Sequence, residues 1–289
     1  RWHENINVLN NIFEDTLSFG VRAYAWKNFK VDGNRFINCL AGINVRTNMT
    51  SDPADTLNEL GTQTNASQIC DNFSVSGNFF KGGGNAGRFI EVYGETTGRN
   101  FDGEINFNII KGTAVSVNHG LYIVFSDDMS LYGNQIIGIN GTTSVNAITI
   151  TESNDCNASM NKIRDIKGNG IHATTCEFLT LGINNIKRVG VNSIYVASNS
   201  KGIVINGNNL TGCNGSAGGA GNNYIRITST VERVTITGNN CRNYSSTHVA
   251  TVAMELTSTV TEVSRSGNIF KGMTVVDASV GGSVPADLT

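Results

Sequence analysis

The sequence predicts an all-β solenoid, and three observations predict it. A phrase of the form apolar-x-apolar-x-Gly-Asn-x-apolar recurs along the chain, as in FKVDGNRFIN, MSLYGNQIIG and VTITGNNCRN. Inside each copy the apolar residues alternate with a period of two, the period of a strand and not of a helix. The 289 residues include 39 Asn and 33 Gly but only 2 Pro, so the chain turns often, with residues that tolerate a left-handed backbone.

Aligning the copies on their Asn gives Asn11, Asn34, Asn78, Asn108, Asn134, Asn161, Asn184, Asn208, Asn239 and Asn268. The spacing runs from 23 to 31 residues, with one interval of 44. A unit of that length, built of short strands, cannot bury its apolar face alone and must stack on its neighbours. Pairs such as Phe73/Val75, Met129/Leu131 and Val234/Ile236 precede the Asn. Two residues after it stands an apolar column from Phe13 and Phe36 to Ile186, Leu210 and Phe270. A second short strand follows, as in GINV, GLYIV, AITI, GIHA, SIYV and YIRI. The Asn itself ends a strand at a tight turn, and stacked Asn side chains can hydrogen-bond to one another along the axis. The reading is therefore one domain over 1–280 of about ten coils, with a surface insertion at 47–68 that holds a short helix near Asp55–Leu60, and a tail at 281–289.

Composition narrows the partners. A net charge of −2 and an isoelectric point near 6.1 argue against a nucleic-acid footprint, and no apolar run reaches membrane-spanning length. The six cysteines (39, 70, 156, 176, 213 and 241) form no CxxC pair and read as free, buried thiols of a reducing compartment. No secretory leader is visible, and the repeat begins close to Arg1 without a cap, which implies a preceding domain or a covering partner.

With the coils aligned, each offset becomes a column on the rod. The outward column of the second strand reads Arg22, Asn44, Glu91, Tyr122, Thr149, His172, Tyr195, Arg226 and Glu255; beside it run Tyr24, Arg46 and Tyr93. Aromatic rings stack on sugar faces while Arg, Glu and Asn bond hydroxyls or carboxylates, so this column suits a linear polymer as well as it suits an ordinary β surface. Six residues before the aligned Asn stand Asp102, Asp128 and Asp155; seven before stand Asp127 and Glu177, with Glu152 nearby. Carboxylates one or two rungs apart, roughly 5 or 10 Å, have spacings that serve glycoside hydrolysis. They also fit Ca²⁺ binding, and Asp is equally a good turn residue. His172 is a candidate for proton transfer. FSDDMS (125–130) has the look of the Asp-Asp element of polygalacturonases, but that family's other elements are missing. GSAGGAG (215–221) reads as an inter-coil loop.

The repeat resembles the right-handed parallel β-helix of the pectate-lyase-like superfamily over about Ile6 to Asp277, and most resembles bacteriophage tailspikes. That resemblance implies a homotrimer on a virion tail that binds and depolymerises bacterial surface polysaccharide: capsule, O-antigen or exopolysaccharide. The alternatives are a non-catalytic fibre or adhesin, and a secreted or cell-surface uronan lyase or epimerase. No cofactor is expected; Ca²⁺ is the alternative.

Overall fold

A computed structural model of the chain describes residues 3–47, 69–83, 87–112, 118–141, 145–213, 223–243, 250 and 252–279. Most of the expected insertion with its short helix, the 215–221 loop and the 281–289 tail lie outside these residues. Strands alone build the described part, in three parallel sheets of eleven, ten and ten strands.

One coil illustrates the plan. Asn100–Asn106 lies in sheet 1, Ile109–Lys111 in sheet 2 and His119–Val124 in sheet 3; the next coil repeats this with Ser126–Tyr132, Gln135–Ile137 and Asn146–Thr151. Each strand pairs in parallel with its counterparts one coil away. The sequence predicts two strands per coil; the structure has three. The apolar residue after the Asn belongs to a three-residue strand of its own, too short for its period to be legible.

Inward side chains of all three sheets form one continuous core. Ile90, Ile105, Ile110, Leu121, Ile136 and Ile148 have no exposed surface. Like side chains stack on like along the axis: Phe13, Phe36 and Phe80 lie 4.9 and 4.7 Å apart ring to ring, nearly parallel. All six cysteines are free and buried.

The Asn column is a ladder inside the turn between sheets 1 and 2. Asn134 is fully buried. Its Oδ1 accepts both the backbone N–H and the Nδ2–H of Asn108, each at 3.0 Å. Its own N–H and Nδ2–H go on to Asn161 Oδ1, and Nδ2 also donates to the Ile105 carbonyl at 2.7 Å. The same bonds repeat from Asn34 to Asn239. A buried backbone turn is thus satisfied in every coil without water.

One detail differs from expectation. The left-handed residue is not the ladder Asn but the residue before it: Gly33, Gly77 and Gly133 at φ 64–66°, and Phe107, Met160 and Ile183 at 55–58°. A second left-handed position lies six residues before the Asn. Asn5, Asn28, Asn72, Asp102, Asp128, Asp155, Phe178, Gly202, Arg233 and Glu262 all take it, at φ 47–68°. This backbone requirement explains why Asn and Asp gather in that column.

Candidate active site

Sheet 3 carries the aromatic column in the expected register. Arg22 pairs with Asn44, Asn44 with Glu91, Glu91 with Tyr122, Tyr122 with Thr149, Thr149 with His172, His172 with Tyr195, Tyr195 with Arg226 and Arg226 with Glu255. Tyr24, Arg46 and Tyr93 form the neighbouring row. Along these rows guanidinium groups lie over rings: Arg46 over Tyr93 at 5.1 Å, Arg22 over Tyr24 at 4.6 Å and Arg226 over Tyr195 at 5.7 Å.

Residues that the alternation hid complete the face. At the start of each sheet-3 strand the period of two breaks. Gly42 faces inward, where a Cβ would meet Phe80 at 2.3 Å, and Phe89 and Tyr224 at the same position are buried. The residue before it is thereby turned onto the outer rim, and Arg88 and His119 arrive there. Arg88 ion-pairs with Glu91 and lies 3.8 Å over the Tyr122 ring; Asn44 Nδ2 donates to the other Glu91 oxygen at 2.9 Å. The His119 ring stands 4.9 Å from Tyr122, and its Nδ1 is 3.0 Å from Thr149 Oγ1. These side chains border a cavity of about 240 Å³ lined by Arg88, Glu91, Asn118 and His119 on one side and Phe19 and Leu40 on the other. Asn44 Oδ1 and Asn118 Oδ1 are buried and have no partner among the described residues. In the sequence the missed column was legible as the residue one before the inward position: His119, Asn146, Asn169, Asn192 and Asn223.

Burial, helped by Arg88 and then His172, holds the His119 pKa down at about 4; burial also lowers that of His172 and raises the Tyr122 phenol. At neutral pH the site therefore holds two neutral imidazoles and a protonated phenol. The folded pKa of His119 lies below the unfolded value of 6.5, so the unfolded chain takes up a proton first as pH falls. Stability from the neutral ring is whole above pH 6.5, is lost as pH drops to about 4, and changes no further below. That loss is about 3 kcal/mol. Urea unfolding across this window should show the slope in the native chain, and His119→Asn should flatten it.

A second group of polar side chains lies farther along the same face. The His172 ring stacks on Tyr195 at 5.0 Å, Arg226 Nε is 2.9 Å from Glu255, and Asn223 Nδ2 donates to Glu255 at 2.6 Å. Glu91 and Glu255 are six rungs apart, roughly 29 Å, far beyond the spacing of paired glycosidase carboxylates.

The acidic residues lie elsewhere. Asp102, Asp128 and Asp155 are exposed neighbours on sheet 1 at the left-handed position described above. The Asp128 carboxyl is raised, by desolvation first and then by Asp155, Asp127 and Asp102. Asp127 points to Arg99, which grips both its oxygens at 2.5 and 2.7 Å, and it also accepts the Asn154 N–H. Glu152 is left-handed at the corner between sheets 3 and 1, where its carbonyl accepts Arg99. Glu177 is exposed and bridges Asn154 and Lys201 through its backbone. Among the described residues no group of three His, Cys, Asp or Glu side chains is placed to hold a metal ion.

No family model matches the sequence, and no curated protein matches it. Solved structures do. The surface adhesin PfbA of Streptococcus pneumoniae superposes with a TM-score of 0.55 at 12% identity, over 92% of this chain and 62% of that one. The chain is a parallel β-helix. Likewise, the A-module of the Azotobacter vinelandii mannuronan C-5 epimerase AlgE6 superposes at 0.53 and 12% identity, over 94% of this β-helix and 80% of the module. The catalytic unit of a GH87 α-1,3-glucanase from Streptomyces thermodiastaticus gives 0.51 and 11% identity, over 95% and 50%. The β-helix thus spans less than two thirds of the adhesin and half of the glucanase.

Proposed function

We propose that this β-helix holds a linear bacterial surface polysaccharide along the outer face of sheet 3 and cleaves it by β-elimination at a uronic acid residue. The observation that carries the reading is the cavity lined by Arg88, Glu91 and His119 beside Tyr122, with neutral His172 two rungs from Tyr122. Elimination needs no second carboxylate, and among its described residues sheet 3 has none in range of Glu91. Arg88 and the His119 N–H receive the uronate carboxylate, and Glu91 with Asn44 fixes Arg88 in place. His172 takes the proton from C5, the C4–O bond breaks as C4=C5 forms, and Tyr122 gives its proton to the leaving oxygen. Rings and guanidiniums along the column grip the flanking units. The epimerase among the structural neighbours is named for a polyuronate, which supports this choice of polymer.

The setting implied by the sequence resemblance, a homotrimeric tailspike on a virion, belongs to the same proposal. The test is to incubate the protein with purified capsules, O-antigens and exopolysaccharides, with and without uronic acids, and to follow chain length and ultraviolet absorbance. Uronate polymers are expected to shorten and gain an absorbing unsaturated end. Shortening without absorbance points to hydrolysis and counts against the assigned roles. Binding without any product points to an adhesin.

A further inference from the structure

A second asparagine ladder runs along the rim of sheet 3 and ends on His119. Asn223 donates its backbone N–H to Asn192 Oδ1 at 2.9 Å. Asn192 donates its own N–H and Nδ2–H to Asn169 Oδ1, both at 3.0 Å. Asn169 Nδ2 donates to Asn146 Oδ1 at 2.9 Å, and Asn146 Nδ2 donates to Thr149 Oγ1 at 3.0 Å. Thr149 Oγ1 lies 3.0 Å from His119 Nδ1.

Backbone chemistry fixes the direction of this chain. A main-chain N–H only donates, so the atoms of Asn192 and Asn169 that face the N–H groups of Asn223 and Asn192 are oxygens. The Nδ2 of Asn169 then faces Asn146, whose oxygen accepts it, and the Asn146 nitrogen is left for Thr149. Thr149 has one proton. Asn146 fills one of the two lone pairs of its oxygen, and His119 Nδ1 is the acceptor within reach of that proton among the described residues. In the first ladder, side-chain amides donate toward the later coil, as Asn134 does to Asn161; here they donate toward the earlier one. The first ladder satisfies turns, whereas the second delivers its polarity to a titratable ring, and successive amide bonds in a part-buried row reinforce one another.

We infer that this ladder locks neutral His119 in the tautomer with its proton on Nε2, so that the ring serves the cavity as a hydrogen-bond donor and not as a base. Asn146 and Thr149 are then positioning residues. The groups around the ring fit this role: Arg88 and Tyr122 pack beside it, His172 lies near, and burial keeps it neutral. Only the identity of the acceptor, a uronate carboxylate, rests on the proposed function; the tautomer does not.

The tautomer is measured without substrate. In the protein labelled with ¹⁵N-histidine, long-range proton–nitrogen correlation separates protonated from bare ring nitrogens. The His119 signals among the four histidines are those absent from His119→Gln. Nδ1 is expected bare and Nε2 protonated, with the other tautomer about tenfold less populated. Asn146→Asp puts an acceptor where the donor was, so Thr149 turns its proton away and His119 moves to the Nδ1–H form. Thr149→Val brings the two forms toward parity, and Thr149→Ser restores the native state. Circular dichroism confirms that each variant keeps its strands. A native Nδ1–H ring, or an unmoved tautomer in folded Asn146→Asp, overturns the inference. The predicted tautomer in a protein that binds no uronate polymer leaves the inference standing and sinks the proposed function instead.

Discussion

Asn134→Ala is expected to lower the unfolding free energy by about 4 kcal/mol, whereas Asn11→Ala at the first rung is expected to change it by under about 1 kcal/mol. The contrast comes from what each deletion leaves behind. Removing the Asn134 amide strands the N–H and one Nδ2–H of Asn108, and it also takes a donor from the Ile105 carbonyl and one of the two donors from Asn161 Oδ1, which keeps the backbone N–H of residue 134. All of these atoms sit in a dry turn, where an unmade hydrogen bond costs its full desolvation. Asn11 is exposed, and water replaces its partners. Urea unfolding of the two variants separates these outcomes. Equal losses would mean that the ladder contributes through turn propensity alone. Because each coil touches only its neighbours, a mid-rod defect also divides the solenoid into two shorter stacks, so a broadened transition is expected for Asn134→Ala.

Tyr122→Phe is expected to cut the rate of polysaccharide breakage by about 10²–10⁴-fold while leaving binding within a few-fold. The substitution keeps the ring under Arg88 and beside His119 and removes only the phenolic proton. An unchanged KM with a collapsed kcat is the signature of a lost proton donor. His172→Asn should have a similar effect on rate, because it removes the base. Since burial raises the Tyr122 phenol, the acid stays protonated throughout the neutral range; the acid limb of the pH–rate profile belongs to His172, whose pKa is held below the usual histidine value. Activity is therefore expected to persist below the ordinary histidine pKa before it declines.

Much of this was legible in the sequence, and the failures have physical causes. Stacking makes register readable: the count from the ladder Asn to the Arg22-to-Glu255 column varies from 10 to 18 residues, but the apolar-x-apolar pattern of each second strand marks its middle residue, and these residues pair rung to rung. The three-residue strands of sheet 2 escaped notice because three residues show no period. Arg88 and His119 were missed for a related reason. Alternation assigns them inward, but Gly42 and its equivalents take the inward place against Phe80 and the residues stacked above it, so the residue before them faces the rim. The acidic column was seen correctly as a column. Its cause is a left-handed backbone that Asn, Asp and Gly tolerate, occupied in the same way by Phe178, Arg233 and Glu262. Among its neighbours, Asp127 is held by Arg99.

The most direct test compares three proteins on one uronate-containing polysaccharide that the native chain shortens, reading the appearance of ultraviolet-absorbing unsaturated ends over time. With the site on sheet 3, Tyr122→Phe loses the signal and Asp128→Asn keeps it within about twofold of the native rate, as expected for an exposed turn residue. Loss of activity in Asp128→Asn with a native rate in Tyr122→Phe would place the chemistry on sheet 1 and contradict the account.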